Sequence, residues 1–408
     1  MKSKTIKKDK VNIITLGCSK NMVDSEVLSG QLQANAFDVV HENKKLDHNI
    51  VIVNTCGFID KAKEESVNTI LDQVDLKKKG KLDKVYVTGC LSERYKQNLE
   101  AEIPEVDAYF GTMELPALLA VLNADYKTEL VGERLLSTPS HYAYMKISEG
   151  CNRTCSFCAI PLMRGEHRSK PMEELILEAE KLVKMGVKEL MLIAQELTYY
   201  GLDLYKKRML PELLKKLAAV EGIEWIRLHY AYPSKFPLDI IDVMKEEPKI
   251  CNYLDMPLQH ASDNMLKAMK RQITRQEMKD LIGEIRSRIP GICLRTTLIA
   301  GFPGETDNDF ESTLNLVREV GYASAFSFKY SPRPGTVAID RFPDDVPDEV
   351  KRWRNNTLLA IQGETSTRVH AAWVGRQVPV LFDAVRAREG GVRAGQGGAA
   401  GGSVHMSI

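Results

Sequence analysis

Residues 142–158 read YAYMKISEGCNRTCSFC, a short strand-like run that ends in Cys151, Cys155 and Cys158, spaced C-x3-C-x2-C. Working outward, five further candidate strands follow: KELMLIA at 188–194, EWIRLHY at 224–230, YLDMPLQ at 253–259, CLRTTLIAG at 293–301 and SAFSFKY at 324–330. Helical stretches lie between them, such as PMEELILEAEKLVKMG at 171–186. Strands that alternate with helices imply βαβ units around a parallel sheet. Six such units predict a partial (β/α)6 barrel over 137–367, open rather than closed. In that architecture chemistry gathers in the loops after the strands, and the cysteine run occupies the first of them.

Upstream, VNIITLG (11–17), NIVIVNT (49–55) and KVYVTG (84–89) are β-branched runs, with VDAYFGT (106–112) as one more strand. Helical patterns follow at about 24–35, 60–76 and 92–101. This predicts an open parallel α/β domain over 11–127. Downstream the character changes. VGRQVPVLFDAV (374–385) reads as one strand, whereas EGGVRAGQGGAAGGS (389–403) has no apolar face and cannot offset its ordering entropy. Residues 369–408 are therefore expected to hold a truncated β segment, disordered after about 386.

Composition narrows the function. The 408 residues carry 56 Lys and Arg against 55 Asp and Glu, so no bulk field favours a polyanion. The charged start MKSKTIKKDK runs into an apolar stretch too short for a signal-peptide core. No run approaches the roughly 20 apolar residues of a membrane span, so a cytoplasmic location is expected. Eight cysteines in a reducing compartment point to metal binding or catalysis rather than disulfides.

Three thiolates as close as Cys151, Cys155 and Cys158 can hold three irons of a 4Fe–4S cube and leave the fourth open to a small chelator. A zinc site completed by His167 is the alternative. Cys18, Cys56 and Cys90 each fall at or just past the C-terminal end of a strand. In a parallel sheet those ends face one edge, so the three can converge on a second cluster. Cys251 and Cys293 fall at strand starts, the stability end of a barrel, and read as structural. Gln195 and Glu196 end the second barrel strand, or else face solvent there. Arg295 and Ile299–Glu305 lie on and after the fifth strand, where Gly301 and Gly304 permit close backbone approach or a simple turn.

The cysteine run, with Phe157 between its last two cysteines, resembles that of the radical S-adenosylmethionine superfamily. From about 11 to 366 the chain looks like a methylthiotransferase of that superfamily. Within it the chain resembles the branch that modifies a ribosomal-protein aspartate, through Leu16-Gly-Cys-Ser-Lys-Asn21, Val23-Asp-Ser-Glu26, Arg164-Gly-Glu-His-Arg168-Ser, Leu228-His-Tyr-Ala-Tyr-Pro233 and Pro257-Leu-Gln-His-Ala261. Ser331-Pro-Arg-Pro-Gly-Thr336 is closer to the branch that modifies tRNA. The resemblance implies two 4Fe–4S clusters, one on Cys18, Cys56 and Cys90 that carries sulfur, and one on Cys151, Cys155 and Cys158 that cleaves S-adenosylmethionine. It implies cofactor contacts at Gln195, Glu196, Arg295 and Gly301, and a TRAM-like C-terminal barrel of which 369–408 is a remnant. The substrate implied is the β-carbon of an aspartate in small-subunit ribosomal protein twelve, with an external electron donor. A tRNA adenosine substrate is the alternative, and a non-catalytic cluster carrier is a third reading.

Overall fold

The computed structural model describes residues 9–130 and 132–380. The first sheet contains β1 (Lys10–Thr15), β2 (Asp38–His41), β3 (Ile50–Thr55), β4 (Lys84–Gly89) and β5 (Ala108–Tyr109). All neighbours are parallel, in the order β2-β1-β3-β4-β5. Every residue of β3 is buried because helices cover both faces. Ile50 and Ile52 face Leu28 and Leu32 of helix Ser19–Ala34, while Val51 and Val53 face Ile70 and Val74 of helix Asp60–Lys78. The strand order reverses between β1 and β3, and such a switch point opens a crevice at the carboxyl ends of the two strands. Cys18 and Cys56 follow those two ends.

The second sheet contains β6 (Tyr142–Lys146), β9 (Glu189–Ile193), β10 (Trp225–Leu228), β11 (Ile250–Asp255), β12 (Cys293–Ala300) and β13 (Ser324–Lys329). They run parallel in the order β13-β12-β11-β10-β9-β6, which is the expected open six-unit arrangement. A small antiparallel pair, β7 (Ser148–Glu149) and β8 (Arg168–Ser169), ties off the loop that carries the cysteine run. Leu190, Leu192, Ile226, Leu254 and Leu294 pack under the surrounding helices, among them Met172–Lys184 with Leu175, Ala179 and Leu182 inward. The alternate positions Tyr144, Met191, Arg227, Tyr253 and Arg295 are only half-buried and belong to the other face of the sheet. Cys251 and Cys293 stand at the starts of β11 and β12.

Two boundaries differ from expectation. The last helix, Asp348–Ala371, passes through the boundary expected at 367–369, because it packs on β12 and β13 with Leu358 buried and Gln362 Nε2 donating to Tyr322 O at 2.8 Å. The strand expected from Val374 is absent through Val380, the last of the described residues. Its remainder, and the expected disorder after 386, lie outside the described residues. Among the described residues no helix is long and apolar enough to cross a membrane.

Candidate functional site

Three turns on adjacent strands bring the first thiol set to one edge. Cys18 caps helix Ser19–Ala34 after β1, Cys56 follows β3, and Cys90 opens helix Cys90–Glu102 after β4. Asn21 binds the turns together: its Nδ2 donates to Leu16 O (2.8 Å) and Thr55 O (3.0 Å), while its own carbonyl accepts from Asn54 Nδ2 (2.9 Å). Ser66 Oγ brackets Cys56, accepting from its N–H and donating to its carbonyl, both at 3.0 Å. Gly17 holds φ at +96°, and a Cβ there would stand 2.6 Å from Cys56 Cβ and 2.8 Å from its Sγ. A side chain at residue 17 is thus excluded twice, by backbone angle and by the neighbouring cysteine. Gly17→Ala should lower stability by about 1–3 kcal/mol and displace Cys56. Urea unfolding and iron content after reconstitution check this; retention of both at the level of the unmodified protein would refute the close approach.

The second set lies on the loop between β7 and β8. Gly150, at φ +76°, leaves room for the backbone of Glu166, and Cys151 N donates to Gly165 O at 3.1 Å. Cys151 Sγ accepts from Arg153 N (3.4 Å), and Cys155 Sγ accepts from Arg271 Nη1 at 3.2 Å with Tyr232 Oη 3.7 Å away. Phe157 anchors the loop among Met265, Met269 and Phe302. Arg271 is presented by left-handed neighbours, Lys270 (φ 53°) and Gln272 (φ 55°). The guanidinium of Arg153 lies 4.0 Å from the Tyr199 ring and 3.8 Å from the Tyr232 ring, and its Nε donates to Glu196 Oε2 at 2.7 Å. Glu196 is buried and also accepts from Thr198 N (2.9 Å), so the solvent-facing alternative for it is wrong.

Arg164 connects the sets. It ends helix Ile160–Arg164, which follows the cysteine run, and its Nε reaches Cys90 Sγ at 3.2 Å. The same guanidinium binds Asp24 (2.6 Å), Glu149 (3.3 Å) and Asn21 Oδ1. Lys146 binds Asp24 and Glu149 as well, and Gln195 donates to Glu149. Burial alone would raise the Glu149 carboxyl, but Lys146 and Arg164 hold it well below the usual carboxylate range. A buried array of this kind is stable only while every charge stays matched.

All eight cysteines are free thiols. Burial pushes Cys90 and Cys151 up to about 12 and Cys158 to about 11, so ligation must displace their protons. The guanidinium donors at Cys90 and Cys155 fit thiolate ligands of an anionic cluster. Among the described residues no group of three or more His, Cys, Asp or Glu could hold a single metal ion. Cluster thiolates bind separate irons and need no such convergence. The zinc alternative needs it, and His167 joins no such group: its Nε2 is bonded to Ser169 Oγ at 3.1 Å and its Nδ1 is buried without a partner.

Gly301 does not open onto these thiols. A Cβ there would strike Lys351 of the last helix, and Gly301 N donates to Glu305, so close packing rather than cofactor approach accounts for it. Arg295 contacts Tyr253 and Asp255 and neither thiol set. The sequence reading does not single out Asn21, Arg153, Tyr232 or Arg271. Asn21 and Tyr232 lie in the quoted Leu16–Asn21 and Leu228–Pro233 stretches, and Arg153 lies between two cysteines. Arg271 carries no sequence signal.

Comparison with known proteins agrees with this architecture. The family model described as the radical SAM superfamily matches residues 145–317, and that of uncharacterized protein family UPF0004 matches 10–111. The chain is 57% identical over 383 residues (94% of this chain, 84% of the relative) to the ribosomal protein uS12 methylthiotransferase RimO of Christiangramia forsetii. It is 58% identical over 384 residues (94% and 88%) to the protein of that name from Flavobacterium johnsoniae. Among solved structures, the radical S-adenosylmethionine methyltransferase TsrM from Kitasatospora setae shares the fold, with a TM-score of 0.59 at 14% identity over 81% of this chain and 77% of that one. The cobalamin-dependent radical enzyme OxsB shares it at a TM-score of 0.55 and 12% identity, over 89% and 56%. On these matches the chain belongs to the family of the ribosomal protein uS12 methylthiotransferases, transferases of the radical S-adenosylmethionine superfamily.

Proposed function

We propose that this protein adds a methylthio group to the β-carbon of an aspartate in ribosomal protein uS12, alone or on the ribosome. The observation that supports the reading is the 3.2 Å contact with Cys90 of Arg164, the end of the helix that follows the Cys151–Cys158 run, which ties the segment of one cysteine set to a thiol of the other. Cys151, Cys155 and Cys158 would hold one 4Fe–4S cluster and Cys18, Cys56 and Cys90 the other, within domains of 11–127 and 137 to the last helix. When bound, the clusters and S-adenosylmethionine supply radical generation and a transferable sulfur, which side-chain acids and bases cannot bring to so weakly acidic a C–H bond.

The protein's own residues hold, orient and shield. Arg271 and Tyr232 fix the Cys155 sulfur, and the Glu196–Arg153 pair, stacked on Tyr199 and Tyr232, walls that side of the site. Gln195 and Glu196 would border the methionine part of the cofactor. Asp24, Lys146, Glu149 and Arg164 lock the two sheets together. Electrons would come from an external donor in the cytoplasm.

The test is mass spectrometry of uS12 and of bulk tRNA from a deletion strain. We expect uS12 to lack one methylthio group, with tRNA unchanged, and the natural gene to restore the group while a Cys151→Ala copy does not. A uS12 mass unaffected by the deletion would overturn the assignment, and a change confined to tRNA would transfer it to the adenosine substrate.

A further inference from the structure

One group of side chains on the inner side of the barrel contacts neither thiol set. Lys20, two residues after Cys18, reaches from the first sheet to the second and puts Nζ 3.1 Å from the centre of the Tyr230 ring. It is 6% exposed and forms no ion pair among the described residues. Tyr230 is held at φ +66°, a strained angle for an aromatic residue, and its N–H donates to Asp255 Oδ2 at 3.4 Å. Arg295 Nε stands 3.5 Å from Asp255 Oδ1, without a hydrogen bond on either atom, and its Nη1 donates to Tyr253 Oη at 3.4 Å. His229 completes the group, with Nδ1 3.9 Å from Asp255 Oδ2 and Nε2 buried without a partner. Burial, then Arg295 and Lys20, lower its pKa to about 3, so the ring is neutral.

Charge counting shows what is missing. Arg227 is matched by Glu189 at 2.6 Å, which leaves Lys20 and Arg295 against Asp255 alone. Even with Asp255 ionised, the group carries one uncompensated positive charge, and buried charges are paired or held for a ligand. The deficit is a single negative charge, which suits a carboxylate better than a phosphate dianion. A point-charge ammonium and a guanidinium fork present both kinds of donor a carboxylate accepts. Two orphaned atoms can donate to such a group, Arg295 Nε and, in its Nε2–H tautomer, His229 Nε2, while Asp255 Oδ1 is an acceptor and faces Arg295 instead.

We infer that Lys20 and Arg295 form a carboxylate subsite that receives the side chain of the acceptor aspartate. The inference rests on the uS12 reading and goes beyond it by naming what selects the residue. The carboxylate is one bond from the β-carbon, so fixing it fixes the C–H bond that reacts. S-adenosylmethionine also carries a carboxylate. Yet among the described residues the cations hydrogen-bonded to the Cys151–Cys158 thiols are Arg153, through its backbone, and Arg271, and neither Lys20 nor Arg295 is among them.

The experiment uses the full, anaerobically reconstituted chain and two uS12 peptides, one with the acceptor aspartate and one with asparagine in its place. Peptide affinity is read by fluorescence anisotropy and S-adenosylmethionine affinity by equilibrium dialysis. The unmodified protein should prefer aspartate by about 30-fold, the factor expected for a hydrogen bond between charged groups. Lys20→Met should remove most of that preference, Lys20→Arg should restore part of it, and Arg295→Gln should act like Lys20→Met. A preference retained in Lys20→Met and Arg295→Gln overturns the inference. So does a loss that falls on S-adenosylmethionine, which would assign the subsite to the cofactor. Failure of the unmodified protein to modify the aspartate peptide or intact uS12 would strike the functional reading itself, and this inference with it, before any variant is compared.

Discussion

Cys155→Ala should cut the iron of the anaerobically reconstituted protein from about eight atoms per chain to about four, and abolish cleavage of S-adenosylmethionine. The halving follows from the geometry. Cys155 belongs to the loop between β7 and β8, whereas Cys18, Cys56 and Cys90 are set by turns of a different sheet with its own core. Removing the Cys155 sulfur strands Arg271, which is buried and loses an anionic partner. Its Nη2 bond to Pro257 O and the Tyr232 Oη bond to Arg271 O remain to hold Arg271, and Ser156 stays bonded to Met269 O and Ala268 O to hold the cysteine loop, so the fold should survive. Iron and acid-labile sulfide assays on variant and natural protein, beside a thermal melt, make the comparison. Stoichiometric zinc with little iron in the natural protein would sink the cluster assignment.

Features set by local sequence are legible in the chain, and those set by docking of distant segments are not. The run IVIVNT is buried end to end and reads as a central parallel strand, with its cysteine at the functional edge. Three such runs suffice to align Cys18, Cys56 and Cys90. The strand Asp38–His41 escapes because it is a four-residue edge strand, half-exposed and without a strong apolar pattern. The bond from Arg164 to Cys90 spans 74 positions and depends on how two sheets dock, which no periodicity encodes. Gly301 illustrates the converse. Its positive φ was foreseeable from a Gly-x-x-Gly turn, but the neighbour it makes room for is Lys351, fifty residues on. Arg271 owes its position to two left-handed residues of types that rarely adopt that angle.

Cys56→Ala should abolish methylthio transfer while 5′-deoxyadenosine is still formed from S-adenosylmethionine. Cys56, unlike Cys90, makes no hydrogen bond to Arg164. Its neighbours are Gly17 and Ser66, both in the first sheet's own turns, and its N–H and carbonyl stay bonded to Ser66 when the sulfur is removed. Cys90→Ala should be less clean. Its sulfur is one of the anionic partners of buried Arg164, and the same guanidinium holds Asp24, Glu149 and Asn21, with Glu149 in turn held by Gln195. Disturbing a buried charged array costs about 3–5 kcal/mol when one partner is lost, and here the loss propagates to the wall of the cofactor side. The expected order of deoxyadenosine formation is therefore natural protein, then Cys56→Ala, then Cys90→Ala, then none in Cys155→Ala, with transfer absent in all three variants. Single-turnover assays with dithionite as reductant and chromatographic detection of deoxyadenosine give that order. If Cys56→Ala stopped cleavage as completely as Cys155→Ala does, the two thiol sets would not divide the work as proposed, and radical generation would depend on both.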